Sequence, residues 1–161
     1  MTGPDAEAVA GDVMRRLTMA RESLAVAESL TGGLVMAALT AVRGASEVLR
    51  GGVVAYALDV KHTMLGVDEQ LLEETAAVDA RVALAMAEGV RRSLGATYAV
   101  ATTGEAGPDS ASGQPVGSVY VAAVGPGGVD ERYLLLPGDR WEIRAATVVA
   151  ALEALAAVVP D

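Results

Sequence analysis

The chain has 161 residues and a formal net charge of −9; 52% of it is hydrophobic and 3% aromatic, with no phenylalanine and no cysteine. That length suits one ordinary domain with a core free of disulfides, and the lack of cysteine excludes thiolate metal sites and a cysteine nucleophile. An acidic chain repels a phosphate backbone, so nucleic-acid binding is not expected, and an anionic small molecule would need a local gathering of cations and backbone N–H groups.

From about Asp5 to Arg21 the sequence predicts an amphipathic helix, with Val9, Val13, Leu17 and Ala20 at helical spacing. Leu24 to Glu28 is a short apolar run, read as a buried strand that ends at Ser29. Thr31-Gly32-Gly33 opens a second helix through about Val42, capped by Thr31 or by Ser29. Gly51 to Tyr56 reads as a second strand, and Asp59 starts a short helix carrying Lys61. A longer helix from about Asp79 to Leu94 places Val82, Ala83, Met86, Val90 and Leu94 on one face, with Gly95 as its stop. Tyr98 to Thr102 is a third strand, and Thr103 to Gly113 is a loop. Val116 to Val124 and Val129 to Leu136 flank Gly125-Pro126-Gly127-Gly128 as a hairpin, and Pro137-Gly138-Asp139 starts a last helix to about Val158.

Strands separated by helices imply parallel pairing, and the hairpin adds antiparallel strands. The expected fold is α/β, a three-layer α/β/α sandwich with a mixed, mostly parallel sheet, and residues 1–161 are read as one domain. No apolar run reaches about 18 residues, so no membrane span is expected. The N-terminus lacks a basic stretch followed by an apolar one, so no signal peptide is expected and the expected location is cytoplasmic. Helices lined with small residues suit packing between subunits, and a homodimer or higher homo-oligomer is expected.

Four segments carry residue types suited to chemistry. In Ala27-Glu28-Ser29-Leu30-Thr31-Gly32-Gly33, a serine at a strand-to-helix turn sits at the carboxyl edge of the sheet, where α/β folds bind ligands. Helix-start N–H groups, those of Thr31 and Gly32 among them, could stabilise an oxyanion there. By residue type alone, a helix cap is the commoner role for Ser29. In Tyr56-Ala57-Leu58-Asp59-Val60-Lys61, a buried lysine with a lowered pKa could serve as the serine's base, with Tyr56 orienting it or relaying a proton. A solvated lysine is the plainer reading. The single histidine, His62, is read as a surface or packing residue. The third segment, Thr102 to Pro108, could present several N–H groups to an anion, or could be a structural turn. In the fourth, Asp139 caps a helix, and Arg140 and Arg144 share a face on which they could grip phosphate or form ordinary surface ion pairs. With one histidine, no cysteine and no close carboxylate cluster, no metal is expected.

Taken in order, A-E-S-L-T-G-G at 27–33, R-G-G-V-V-A-Y-A-L-D-V-K at 50–61, L-G-V at 65–67, A-M-A-E-G at 85–89, T-T-G-E-A-G-P at 102–108, P-V-G-S-V-Y at 115–120 and P-G-D-R at 137–140 closely resemble the CinA C-terminal domain family, the nicotinamide-nucleotide amidohydrolases. The resemblance implies hydrolysis of nicotinamide mononucleotide to nicotinate mononucleotide and ammonia, in pyridine-nucleotide recycling, without metal or organic cofactor. It implies Ser29 as nucleophile with Tyr56 and Lys61 as partners. Thr31, Gly32, Gly33, Thr103, Gly104 and Gly107 then fall at substrate-contacting positions, and Arg140 and Arg144 on the phosphate side. A nucleotide-binding protein without catalysis, or a competence- or damage-related protein, is the alternative. The chain departs from the family pattern at Ala76-Ala77-Val78-Asp79, where Gly-Ala-Val-Ser is usual, and at Leu30, where cysteine is usual. Glu105 replaces an apolar residue, and its charge is expected to repel a phosphate.

Overall fold

Over residues 4–161, which the computed structural model describes, the alternating apolar runs become α1 (Pro4–Ala20), β1 (Leu24–Glu28), α2 (Leu34–Thr40), β2 (Leu49–Val54), α3 (Leu58–Leu65), α4 (Glu69–Thr75), α5 (Ala80–Leu94), β3 (Tyr98–Gly104), β4 (Ser118–Gly125), β5 (Gly128–Leu135) and α6 (Arg140–Val158). The strands form one sheet in the order β2-β1-β3-β4-β5. β1 pairs in parallel with both β2 and β3, while β3–β4 and β4–β5 are antiparallel. The mixed α/β sandwich expected from the sequence is present. By direction only β4 runs against the others; by hydrogen-bonded pairing the sheet divides evenly.

The two faces of the sheet differ in side-chain size. Leu24, Val26, Val100, Val119 and Val121 meet α1, α2 and α6 on one side. On the other, Ala25, Ala27, Ala99, Ala101 and Ala122 meet α5, with α3 and α4 beyond it. Short alanine side chains let α5 settle close to the strands, because interiors are filled to crystal-like density whatever the residue size. α5 and α3 also approach closely. At Gly89 the position a Cβ would take lies 1.9 Å from the Leu65 carbonyl oxygen, so only glycine fits.

Helix ends follow local chemistry. Asp79 caps α5, accepting the Arg81 N–H, and Gly95 ends it in the left-handed conformation at φ 60°. Asp139 and Glu142 form a reciprocal capping box at the start of α6. The sequence reading did not include α4: its seven residues bury only Leu72, too few for a clear period. Its signal was Asp68, whose carboxylate accepts the Leu71 N–H. No described helix is long and apolar enough to cross a membrane.

Candidate active site

The register places the carboxyl ends of β2, β1 and β3 side by side, with Glu28 opposite both Val54 and Thr102. The residues that follow these strands, Ser29, Ala55 and Glu105, therefore gather at one edge of the sheet. Two backbone bonds extend the ladder there, Ser29 N–H to Thr102 O at 3.1 Å and Ala55 N–H to Glu28 O at 2.8 Å.

α3 starts directly after this edge. Helical side chains lean toward the helix N-terminus, so Lys61, early in α3, reaches back to the turn that precedes it. Its Nζ lies 3.0 Å from Ser29 Oγ, 2.8 Å from the Ala55 carbonyl oxygen and 3.0 Å from that of Tyr56. None of these partners is a carboxylate. Lys61 is 2% exposed and Ser29 8%. Burial lowers the lysine pKa from 10.5 to about 8, because the charged form loses water without gaining a counter-ion. The uncharged amine fits the same geometry. Two N–H bonds can donate to the two carbonyls, leaving the lone pair for the Ser29 hydroxyl.

The turn at 29–33 is organised differently from the sequence expectation. Neither Ser29 nor Thr31 caps α2. The helix begins at Leu34, and its N-cap is Gly33, in the left-handed region at φ 100°. The capping carboxylate comes from Glu28, 1% exposed, which accepts N–H bonds from Gly33, Val35 and Met36. The helix-start amides are thus occupied, and the Gly32 N–H is bonded to Ser29 O. The N–H groups of Leu30 and Thr31 find no acceptor among the described residues. Glu28 was missed in the sequence; its signal was an acidic residue closing an otherwise apolar, fully buried strand.

A cavity of about 400 Å³ opens beside the Ser29–Lys61 pair, its wall including Tyr56, Val78, Gly104 and Gly107. That volume falls in the usual range for small-molecule sites. Thr103 also lines it, but its hydroxyl is 2.6 Å from the Ala77 carbonyl and so holds the 76–78 wall in place. Ala76 and Ala77 adopt φ 47° and 62°, a strained conformation for residues with a Cβ. Arg140 spans the mouth, donating to Gly107 O at 2.6 Å and to the Tyr56 hydroxyl at 3.0 Å. The Tyr56 side chain is 61% exposed, and Tyr56 meets Lys61 through its carbonyl rather than its hydroxyl.

Glu105 is 6% exposed, and its Oε1 accepts the N–H groups of Ala111 and Ser112. The charge expected to repel a phosphate is therefore partly met by backbone dipoles of its own loop. Thr31, Gly32 and Gly33, in the turn after Ser29, and Arg144, packed against that turn, are not on the cavity wall. Thr31 bonds the Thr102 hydroxyl at 2.8 Å, and Arg144 donates to the carbonyls of Leu30 and Thr31. His62 bonds the Val67 carbonyl through Nδ1 at 2.8 Å and takes no part in this site.

The sequence profile described as the CinA C-terminal domain matches residues 6–159. The chain belongs to the CinA family. It is 50% identical over 147 residues to a CinA-like protein of Frankia casuarinae, covering 91% of this chain and 34% of that protein. A CinA-like protein of Synechococcus sp. is 47% identical over 157 residues, 95% of this chain and 37% of that one. The chain thus spans about a third of the length of the curated relatives it matches. Among solved structures, the competence/damage inducible protein CihA from Agrobacterium tumefaciens superposes with a TM-score of 0.94 at 39% identity over 98% of each chain. A CinA superfamily protein from Escherichia coli gives 0.91 at 30% identity over 97% of this chain and 92% of the other.

Proposed function

We propose that this CinA-family chain is an amide hydrolase that converts nicotinamide mononucleotide and water to nicotinate mononucleotide and ammonia. The observation that carries the reading is the Lys61 amine, sealed from water without a counter-charge, 3.0 Å from the Ser29 hydroxyl. A hydroxyl is a poor nucleophile until a base takes its proton, and a desolvated lysine is such a base near neutral pH. The motif resemblance supports the choice of substrate. So do the arginine at the cavity mouth, which suits an anionic end group, and a cavity of small-molecule size.

In the proposed sequence, neutral Lys61 accepts the Ser29 proton as Oγ attacks the carboxamide carbon. The free amide of Leu30, which follows the nucleophile and lines the cavity, stabilises the developing oxyanion. The lysine ammonium returns the proton to the amide nitrogen, the C–N bond breaks and ammonia leaves. Lys61 then takes a proton from water as that water attacks the Ser29 ester, and returns the proton to Ser29 Oγ as the C–O bond breaks; the acid released ionises to the carboxylate. Tyr56 contributes its carbonyl to orient Lys61, and its hydroxyl joins Arg140 at the rim.

Ammonia release from nicotinamide mononucleotide, compared between wild type and Ser29→Ala, tests this. The variant is expected to lose at least about 10³-fold in kcat with unchanged circular dichroism. Turnover by Ser29→Ala near the wild-type rate would sink the assignment.

A further inference from the structure

We propose that Arg144 is a positioning residue for the nucleophile turn, acting on the chemical step and not on phosphate recognition. The proposal rests on the Ser29 hydrolase reading. Arg144 lies on α6, one turn beyond Arg140, and the residue spacing makes the two look alike. Their surroundings separate them. Arg140 is exposed at the cavity mouth, whereas Arg144 is half-buried and absent from the cavity wall.

The Arg144 guanidinium is committed to backbone. Nε donates to the Leu30 carbonyl at 2.8 Å and Nη2 to the Thr31 carbonyl at 3.1 Å, so one planar fork grips two successive carbonyls immediately after Ser29. The Trp141 ring, 5.9 Å from Cζ, adds a cation–π contact to the guanidinium. The turn fits closely around the fork: a Cβ at Gly32 would lie 3.2 Å from Nη2.

The grip has a directional consequence. In a planar trans peptide, C=O and N–H point opposite ways. Drawing the Leu30 carbonyl toward α6 turns the Thr31 N–H away from α6. That amide has no acceptor among the described residues, although Thr31 is 0% exposed. The next peptide serves as a control. Its carbonyl, Thr31 O, is also held by Arg144, and its Gly32 N–H closes onto Ser29 O. Arg144 therefore fixes two of the peptide planes that follow the nucleophile, in a turn whose Leu30 and Thr31 amides are unpaired. Of these two residues Leu30 lines the cavity, where its amide can receive an oxyanion, whereas Thr31 is sealed off from it, so Arg144 acts by fixing the turn that carries Leu30 and not by aiming the Thr31 amide.

The test uses Arg144→Met and Arg144→Lys, with two readouts. The first is the rate at which a fluorophosphonate labels Ser29, which reports the alignment of nucleophile and amides without any substrate. The second is ammonia release from nicotinamide mononucleotide and from nicotinamide riboside, its phosphate-free counterpart. Arg144→Met is expected to slow labelling and kcat by about 10- to 100-fold, the scale of a slightly misplaced reacting group. The factor should be the same for both substrates, with KM within about threefold. Arg144→Lys, which keeps a cationic donor group but not the planar fork, should recover part of the loss. Wild-type labelling and kcat in Arg144→Met, or a KM rise confined to the phosphorylated substrate, overturns the proposal. Wild-type protein that is labelled but releases no ammonia would refute the hydrolase reading alone, and the labelling rates would still judge Arg144. Wild-type protein that is not labelled at Ser29 would refute both.

Discussion

Arg16 and Lys61 are both nearly sealed from solvent, at 6% and 2% exposure, yet their surroundings differ in kind. Arg16, on α1, donates from Nη1 to the carbonyls of Ala156 and Val159 at 3.2 and 2.7 Å, and lies 3.0 Å from the Asp12 carboxylate and 3.3 Å from that of Asp161. It ties α1 to the last turn of α6, where helix carbonyls lack partners. Its charge is answered by charge. Lys61 has only a hydroxyl and two carbonyls, so its charge is answered by dipoles alone. Burial with counter-ions makes a clasp, and burial without them makes a base. On the proposed reading of this chain, that difference, more than burial itself, separates architecture from chemistry.

The comparison breaks first at Lys61. Lys61→Met is expected to abolish ammonia release by at least about 10³-fold, measured beside Ser29→Ala. The same variant sharpens the contrast in stability. The folded pKa of about 8 lies below the ordinary 10.5, so between those values the unfolded chain holds a proton that the folded one has lost. The contribution of Lys61 to stability therefore rises as pH rises from 8 to 10.5, and below pH 8 the fold carries the full cost of burying the charge. Urea unfolding at pH 7 and at pH 10.5 should show Lys61→Met losing about 3 kcal/mol of stability relative to wild type between the two pH values. In wild type, kcat/KM should climb with pH and level off above about 8.

Arg16→Met should do the reverse. Unfolding in urea is expected to show a loss of about 1–2 kcal/mol from the two orphaned carbonyls, with kcat per folded molecule unchanged. The smallest effect belongs to the wall of the Lys61 cavity. Ala76 sits at φ 47°, so Ala76→Gly relieves strain and is expected to add about 0.5 kcal/mol in thermal unfolding, net of the flexibility glycine gives the unfolded chain.

Much of this was legible in the sequence. The apolar runs marked β1 and β3, Asp79 and Gly95 bracketed α5, and Gly125 to Gly128 marked the hairpin, because each is a local signal. Ser29 and Lys61 could be singled out by residue type and position; that they meet is a consequence of β1–β2 pairing, which no local pattern encodes. The roles of Glu28, Thr103, Glu105 and Arg144 were illegible for the same reason. Each side chain holds backbone distant from it in sequence or hidden by a turn, as Thr103 holds Ala77 and Arg144 holds Leu30. A polar residue near a pocket reads as a ligand contact until its partners are seen.

The vacancy at Gly89 reaches further than its own helix. α3 ends with Leu65 resting against that gap in α5, and Lys61 lies one turn earlier on the same rod. The reach between amine and hydroxyl is thus gauged by a missing methyl group two helices removed from the serine. In the proposed mechanism, a larger residue there would act as a wedge, detuning proton transfer without touching any atom that reacts.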